Sequence, residues 1–222
     1  MKDLFRDRIE AGQLLAGQLM RYAGDPNVMV LALPRGGVPV AFEVARALHA
    51  PLDVFVVRKL GTPHHRELAM GAIASGGVRV LNEEVVRELR IPMEVVDEVT
   101  AEEQQELERR ELVYRGRSAA PEVRGRTVIL IDDGVATGST MQAAIRALKV
   151  RQPARLIVAV PTAAGSTYRE LRSEVDECVS LMTPDPFVGV GEWYDDFRQT
   201  SDAEVTELLE RARAEGGMPG GN

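Results

Sequence analysis

Residues 128–140 read Val-Ile-Leu-Ile-Asp-Asp-Gly-Val-Ala-Thr-Gly-Ser-Thr, and this stretch decides the fold. Its four apolar residues predict a buried strand. Two adjacent carboxylates, Asp132 and Asp133, follow at the carboxyl end, where open α/β sheets bind ligands. The next loop is rich in glycine and hydroxyl side chains and opens a helix, so backbone N–H groups can surround an anion there. A ligand with a phosphate group and hydroxyl groups would suit both features. Its phosphate would bind in the loop, and its hydroxyl groups would donate to the carboxylates.

Two other interpretations of this stretch are weaker. A Walker A loop needs a lysine before its hydroxyl residue, and none is present. In the purely structural alternative, Asp132 and Asp133 cap the helix and the glycines shape a turn. Two adjacent acids after a buried strand exceed what capping requires.

The surrounding segments alternate between apolar runs and helical patterns, which is typical of parallel strands joined by crossover helices. Residues 3–22 have apolar residues at near-helical spacing, which predicts an amphipathic helix: Leu4, Ile9, Leu14, Leu15 and Leu19. Buried strands are predicted at Val28–Leu33, Val54–Val57 and Thr127–Ile131, and two further strands at Arg155–Val160 and Cys178–Met182. Further helices are predicted at Val38–His49, 140–150, Ser166–Glu174 and Ala203–Ala214. We therefore expect an α/β fold with an open, mainly parallel sheet flanked by helices.

An insertion interrupts this alternation at about residues 68–117. Met70–Ala74 and Val78–Leu81 flank a glycine turn, which indicates a β-hairpin. Residues 93–117 then form a long acidic helix with a partial apolar stripe at Val95, Val96, Val99, Leu107 and Leu112. This helix fits a lid or a dimer contact, and a solvated face explains most of its charge.

We expect one domain over residues 1–215. A loop over about 184–200 is a candidate hood for a ligand, because it holds four of the chain's ten aromatic residues: Phe187, Trp193, Tyr194 and Phe197. These rings suit either stacking on a flat base or a role in the core or in a subunit contact. The glycine-rich end, residues 216–222, is expected to be a disordered tail.

Composition excludes several classes of protein. The net charge of −7 argues against a general nucleic-acid binder, which usually presents a basic face to phosphate. Cys178 is the one cysteine, so an internal disulfide is excluded, and its apolar neighbours indicate a core position. The first residues are charged where a signal peptide is apolar, and no apolar run approaches the roughly 18 residues that span a bilayer. We expect a cytoplasmic protein.

The stretch over residues 128–140 resembles the signature of the type I phosphoribosyltransferases: four apolar residues, two acids, and a small-residue loop ending in Thr-Gly-x-Thr or similar. The resemblance extends over about residues 28–162, apart from the helix near 93–117. The overall arrangement is similar to that of a little-characterised bacterial group within the family. The resemblance implies a reaction with phosphoribosyl pyrophosphate in which Asp132 and Asp133 bind the ribose hydroxyls. It further implies that the 5-phosphate lies in the loop formed by Val135, Ala136, Thr137, Gly138, Ser139 and Thr140.

By the same resemblance, two more segments would meet pyrophosphate at the carboxyl ends of predicted parallel strands. These segments supply Arg35, Gly36, Gly37, Arg58 and Lys59. The resemblance also implies Mg²⁺ held mainly by the substrate, with no direct protein ligand. A mobile loop over about Leu60–Leu68, which includes His64 and His65, would close over the site. Taken alone, Arg35, Arg58 and Lys59 also fit solvated surface cations.

The molecule that accepts the ribose 5-phosphate is not determined by these motifs. The resemblance implies a small nitrogen acceptor, usually a nucleobase, and a possible homodimer. Family members that act on 6-oxopurines commonly have an aspartate where this chain has Ala136, which counts against hypoxanthine or guanine. Two alternatives stay open: a non-catalytic module that senses nucleotides or phosphoribosyl pyrophosphate, and a phosphohydrolase built on a similar cradle.

Overall fold

The computed structural model describes residues 4–63, 65–116 and 118–215, apart from the side chains of residues 65–67. Its strands are β1 Val28–Ala32, β2 Leu52–Val54, β3 Val57–Thr62, β4 His65–Ala74, β5 Val78–Leu81, β6 Thr127–Ile131, β7 Arg155–Thr162 and β8 Glu177–Met182. Its helices are α1 Arg8–Leu19, α2 Gly37–Leu48, α3 Glu83–Glu88, α4 Met93–Arg115, α5 Ser139–Val150, α6 Gly165–Glu174 and α7 Asp202–Glu215. Short 3₁₀ turns lie at Met20–Tyr22 and Val190–Trp193.

A five-stranded parallel sheet forms the centre of the fold, in the order β2-β1-β6-β7-β8. Nearly every residue of β1, β6 and β7 is buried, as expected for strands covered on both faces. Ala32 pairs with Ile131, and Ile131 pairs with Ala159, so the carboxyl ends of these strands lie level. The expected α/β fold with a parallel sheet flanked by helices is confirmed.

Alternate residues of the strands face two separate helical layers. Ile129 and Ile131 pack with α1, α2 and α7, whereas Val128 and Leu130 pack with α5 and α6. The helices α1 and α2 lie very close at Gly12, where an added Cβ would be 2.7 Å from the carbonyl oxygen of Val40.

The predicted apolar stripe of α1 is partly wrong. Leu15 and Leu19 are buried, but Leu4, Ile9 and Leu14 are exposed. The buried face is completed instead by Ala11, Gly12 and Ala16, because the close approach to α2 leaves room only for small residues.

The predicted second buried strand is also wrong in its extent, because the chain leaves the parallel sheet after Val54. The amide N–H of Val56 donates to the hydroxyl of Ser75 at 2.9 Å, and the Ser75 amide donates back to the Val56 carbonyl. This exchange directs the chain into a second, three-stranded antiparallel sheet of order β3-β4-β5. The hairpin expected over residues 70–81 therefore has a third strand, and we call this sheet the arm.

The loop expected over Leu60–Leu68 is largely strand. β3 continues through Thr62, and β4 begins at His65, with Thr62 paired to His65. Backbone pairing across the arm accounts for this difference, since the composition of the segment alone favoured a loop. His64, and the predicted tail over residues 216–222, lie outside the described residues.

The acidic helix α4 is anchored to the protein at several points. Val96, Leu107 and Tyr114 are buried against the core, although Leu112 of the predicted stripe is exposed. At the end of the helix Arg115 is also buried, where it donates to Asp53 of β2 at 2.8 Å, to Glu111 at 2.6 Å and to the carbonyl of Val54. A solvated face therefore describes only part of this helix.

Candidate phosphoribosyl site

Two loops meet where β1 and β6 end. The loop at residues 34–37 follows β1, and Asp132 and Asp133 follow β6. Backbone and carboxylates are so close that a Cβ at Gly36 would lie 2.0 Å from Oδ2 of Asp133. A Cβ at Gly37 would lie 2.8 Å from the carbonyl oxygen of Ile131. From the sequence, we expected these glycines to free backbone amides. In the structure, a Cβ at Gly37 would also clash with backbone, and one at Gly36 would displace the Asp133 carboxylate.

The predicted phosphate loop forms a cradle. Asp132 and residues 134–141 line a cavity of about 130 Å³ at the N-terminus of α5. Gly138 has a positive φ of 76°, which favours glycine, and directly precedes the helix. The cradle is held from behind by Thr167, whose hydroxyl donates to the carbonyl of Ala136 at 2.6 Å. Backbone amides, hydroxyl groups and the helix dipole thus converge on one small cavity suited to an anion.

The two carboxylates have different surroundings. Asp132 lines the cradle, and its Oδ1 accepts the amide N–H of Asp133 at 2.9 Å. Asp133 instead forms an ion pair with Arg8 of α1, at 2.7 Å from Nη2 and 2.8 Å from Nε. Burial, together with the negative charge of Asp133, raises the pKa of Asp132 well above its usual range. Burial also raises the pKa of Asp133, while Arg8 opposes that rise.

The loop over residues 184–200 supports the carboxylates from one side. Trp193 and Tyr194 are buried in a small cluster with Phe5, and Phe187 and Phe197 pack against it. The hydroxyl of Tyr194 donates to the backbone carbonyl of Asp133 at 2.6 Å. These contacts favour the core role over stacking on a base for Trp193 and Tyr194.

The predicted pyrophosphate cations are not all directed to one place. Arg58 and Lys59 lie on β3, not in a loop after a parallel strand, because the chain has already entered the arm. Arg58 is paired with Glu103 of α4 at 2.6 Å. Lys59 Nζ lies 3.3 Å from the Ser139 hydroxyl, beside the phosphate cradle. Arg35 is half-exposed, with a long contact of 3.9 Å to Asp202.

Sequence reasoning missed three residues that shape the site: Arg8, Tyr194 in its role beneath Asp133, and Thr167. Arg8 and Asp133 are separated by 125 positions, and no local pattern links them. The one available signal was the cluster of aromatic residues late in a chain that is poor in them.

Within residues 4–63, 65–116 and 118–215, no helix is both long and apolar enough to cross a bilayer. In the same part of the chain, no three His, Cys, Asp or Glu side chains cluster in a way that would hold a metal ion. Cys178 lies partly buried on β8 against the core, as its neighbours indicated.

A parallel sheet flanked by helices, with paired acids and a glycine-rich loop after one central strand, defines an open α/β protein with a candidate ligand site at the carboxyl ends of its strands. Comparison with known proteins is more specific, since the family model described as the phosphoribosyl transferase domain matches residues 64–196. The chain therefore belongs to the phosphoribosyl transferase domain family.

Two curated relatives carry the same family name, and a solved structure is similar in sequence and fold. Proteins of two Mycobacterium tuberculosis strains, provisionally named phosphoribosyl transferases, are each 47% identical over 210 residues, which is 94% of this chain and 47% of theirs. The chain thus spans about half the length of these curated relatives. The crystal structure of TT1426 from Thermus thermophilus is 40% identical and has a TM-score of 0.85, with 94% of this chain and 98% of that one covered.

Proposed function

We propose that this protein is a phosphoribosyltransferase, which moves ribose 5-phosphate from phosphoribosyl pyrophosphate to a small nitrogen acceptor and releases pyrophosphate. The observation that carries the proposal is the position of Asp132, which lines the same cavity as residues 134–141 of the anion cradle. A sugar phosphate presents an anion and hydroxyl groups at matching ends, so it fits this arrangement. Reducing conditions suit the single cysteine, and we place the reaction in the cytoplasm.

Three parts of the site would hold the phosphoribosyl pyrophosphate: one each for its 5-phosphate, its ribose and its pyrophosphate. The cradle binds the 5-phosphate through amides and hydroxyls, and Lys59 beside Ser139 adds a positive charge at that end. Asp132 accepts hydrogen bonds from the ribose hydroxyls. Arg35 and the tight loop at Gly36 and Gly37 face the pyrophosphate, where negative charge builds as the bond at C1 breaks. Catalysis in such a site is mainly positional and electrostatic.

Asp132 beside the cradle supplies a hard oxygen donor of the kind that Mg²⁺ prefers. As the resemblance implies, the ion would be held mainly by oxygens of the substrate, with Asp132 beside it. When bound, Mg²⁺ would neutralise charge on the leaving pyrophosphate. The residues of the chain align the ribose and the two anionic groups.

The acceptor site is less defined than the donor site. Ala136 supplies no side-chain proton acceptor, and its carbonyl is already bonded to Thr167. We therefore expect acceptors other than hypoxanthine and guanine, such as adenine-, orotate- or uracil-like bases.

A pyrophosphate-release screen tests the proposal, using phosphoribosyl pyrophosphate, Mg²⁺ and a broad panel of nitrogen bases. We expect release with at least one base, and a loss of at least about 100-fold in Asp132→Asn, because an oriented carboxyl acceptor for the ribose is removed. The matched control is Asp195→Asn, since the Asp195 side chain is exposed and lies outside the cradle.

Three other results would change the assignment. Tight donor binding without release across the panel would favour a sensing module. Release of phosphate from simple esters would favour a phosphohydrolase. Equal activity of Asp132→Asn and wild type would contradict the proposed site.

A further inference from the structure

The side chain of Asp133 is held by a residue from the opposite end of the chain. Nε and Nη2 of Arg8 both donate to the same oxygen, Oδ2, at 2.8 and 2.7 Å. The pair is nearly enclosed, with 11% of the Arg8 side chain and 14% of the Asp133 side chain exposed. Such an enclosed, charge-assisted pair is much less screened by solvent than a surface salt bridge.

Arg8 is itself fixed by its surroundings. Its guanidinium lies 4.0 Å from the ring centre of Phe197, and its Nη1 donates to the carbonyl of Arg198 at 2.7 Å. The Tyr194 hydroxyl supports the backbone of Asp133 from the same loop. A cation stacked on a ring and bonded at its remaining edge has little freedom to rotate.

Arg8 engages one oxygen of Asp133, because both of its bonds reach Oδ2. The Asp132 carboxyl is a neighbouring hydrogen-bonding side chain, and its own Oδ1 accepts the Asp133 amide. The Gly36 backbone packs against the same carboxylate, since an added Cβ there would lie 2.0 Å from Oδ2 and 3.2 Å from Oδ1. The geometry therefore commits Oδ2 to Arg8 and leaves Oδ1 as the oxygen for a ligand hydroxyl.

We propose that Arg8 is a positioning residue of the phosphoribosyl site, which holds Asp133 by Oδ2 so that Oδ1 faces the ribose hydroxyls. Phe197 and the Arg198 carbonyl set the orientation of Arg8 in turn. The proposal rests on the proposed function, because it assigns Arg8 a role in binding the same donor. The loop over residues 184–200 therefore supports the ribose site from beneath and does not cover the acceptor.

Calorimetric titration with phosphoribosyl pyrophosphate and Mg²⁺ tests this role in Arg8→Met. We expect donor binding to be weaker by about tenfold or more. Without Arg8, the Asp133 carboxylate loses its orientation and lies beside Asp132 with no positive charge to balance it. Arg8→Lys should recover part of the affinity, because it keeps the charge but not the two-point contact. Arg6→Met is the matched control: Arg6 is exposed, lies two residues away and pairs with Asp7.

A double-mutant cycle separates positioning from general destabilisation. In an Asp133→Asn background, Arg8→Met should cause less than about a twofold further loss, because the two residues act as one unit. Additive losses in the cycle would show that Arg8 acts elsewhere. If Arg8→Met fails to fold, Phe197→Leu, which removes the stacking ring but keeps an apolar side chain against Tyr194, should weaken donor binding about threefold.

The remaining outcomes are distinguishable. Absence of donor binding by wild type overturns the proposed function, and the role of Arg8 falls with it. Donor binding by wild type with unchanged binding in Arg8→Met overturns the positioning role alone. Tighter binding in Arg8→Met also overturns it, since Arg8 would then be a competitor for Asp133.

Discussion

At the scale of single residues, the site depends on close approaches between backbone and side chain. Gly36 and Gly37 bring the loop after β1 against the two acids after β6. Gly134 does the same on the other side, where an added Cβ would lie 2.5 Å from Cγ1 of Val190. In each case the absence of a side chain allows two loops from distant parts of the sequence to share one small volume.

Gly36→Ala should therefore disturb both the fold and the ligand site. Its Cβ would overlap Oδ2 of Asp133, and displacing that carboxylate breaks the pair with Arg8. We expect a loss of about 1–3 kcal/mol in the free energy of unfolding, typical of overpacking, measured by urea denaturation, together with weaker donor binding. The control is Gly17→Ala in α1, where an added Cβ meets nothing within 4 Å and should stabilise the helix by up to about 1 kcal/mol. Equal effects of the two changes would contradict the steric account.

Cys178 gives a second test at this scale. Burial raises the pKa of the Cys178 thiol to about 11, against a weaker lowering by Arg172. The thiol is therefore protonated at neutral pH, and its native rate of alkylation by iodoacetamide at pH 8 should be about 100-fold below that of the unfolded chain. Mass spectrometry of the alkylated protein measures both rates. A native rate that levels off at or below pH 9 would contradict the stated environment.

At the scale of elements, the arm and α4 place the two adjacent cations of β3 in different environments. Neighbouring residues on a strand point to opposite faces. Lys59 accordingly faces Ser139 at the cradle, whereas Arg58 faces Glu103 on the acidic helix. The helix thus uses part of its negative charge to hold the arm, through Arg58 and also through Arg79, which pairs with Asp97.

This arrangement predicts unequal effects of two neighbouring substitutions. Lys59→Met should weaken ribose 5-phosphate binding about tenfold, because a cation is lost beside the phosphate cradle. Arg58→Met should leave that binding within about twofold and lower stability by about 1 kcal/mol, since its partner is a partly exposed carboxylate. Calorimetry and urea denaturation measure the two quantities. A larger loss of ribose 5-phosphate binding in Arg58→Met would restore the sequence-based view that Arg58 meets the ligand.

Comparison of the predicted and observed strands and loops shows which elements the sequence alone could predict. Continuous apolar runs predicted β1, β6 and β7, because strands buried on both faces need no alternation. β8 was predicted from the run Cys178–Met182, and its residues are only partly buried at the edge of the sheet. The exit from the sheet after Val54 was missed, since residues 54–57 form one apolar run and the bond between Val56 and Ser75 has no local signature. The prediction of a phosphate loop at Val135–Thr140 rests on consecutive residues, whereas the pairing of Arg8 with Asp133 depends on the tertiary fold.

At the scale of the whole molecule, both ends of the described chain contribute to one site. α1 supplies Arg8, and the segment before α7 supplies Tyr194 and Phe197. The backbone of Phe5 is also hydrogen-bonded to the loop over residues 184–200. Its amide N–H donates to the Trp193 carbonyl, and the Asp195 amide N–H donates to the Phe5 carbonyl. The carboxylates of the central strand are thus braced by the first and last parts of the fold, so ligand affinity and the docking of these segments should change together.

The central claim is that one cavity binds the sugar phosphate, with the phosphate in the cradle and the ribose at Asp132. A crystal structure of the protein with ribose 5-phosphate tests this most directly. We predict phosphate oxygens within about 3 Å of the backbone amides of residues 136–140, and a ribose hydroxyl at similar distance from the Asp132 carboxylate. A ligand bound outside residues 132–141, or one in the cradle whose ribose points away from Asp132, would contradict the account.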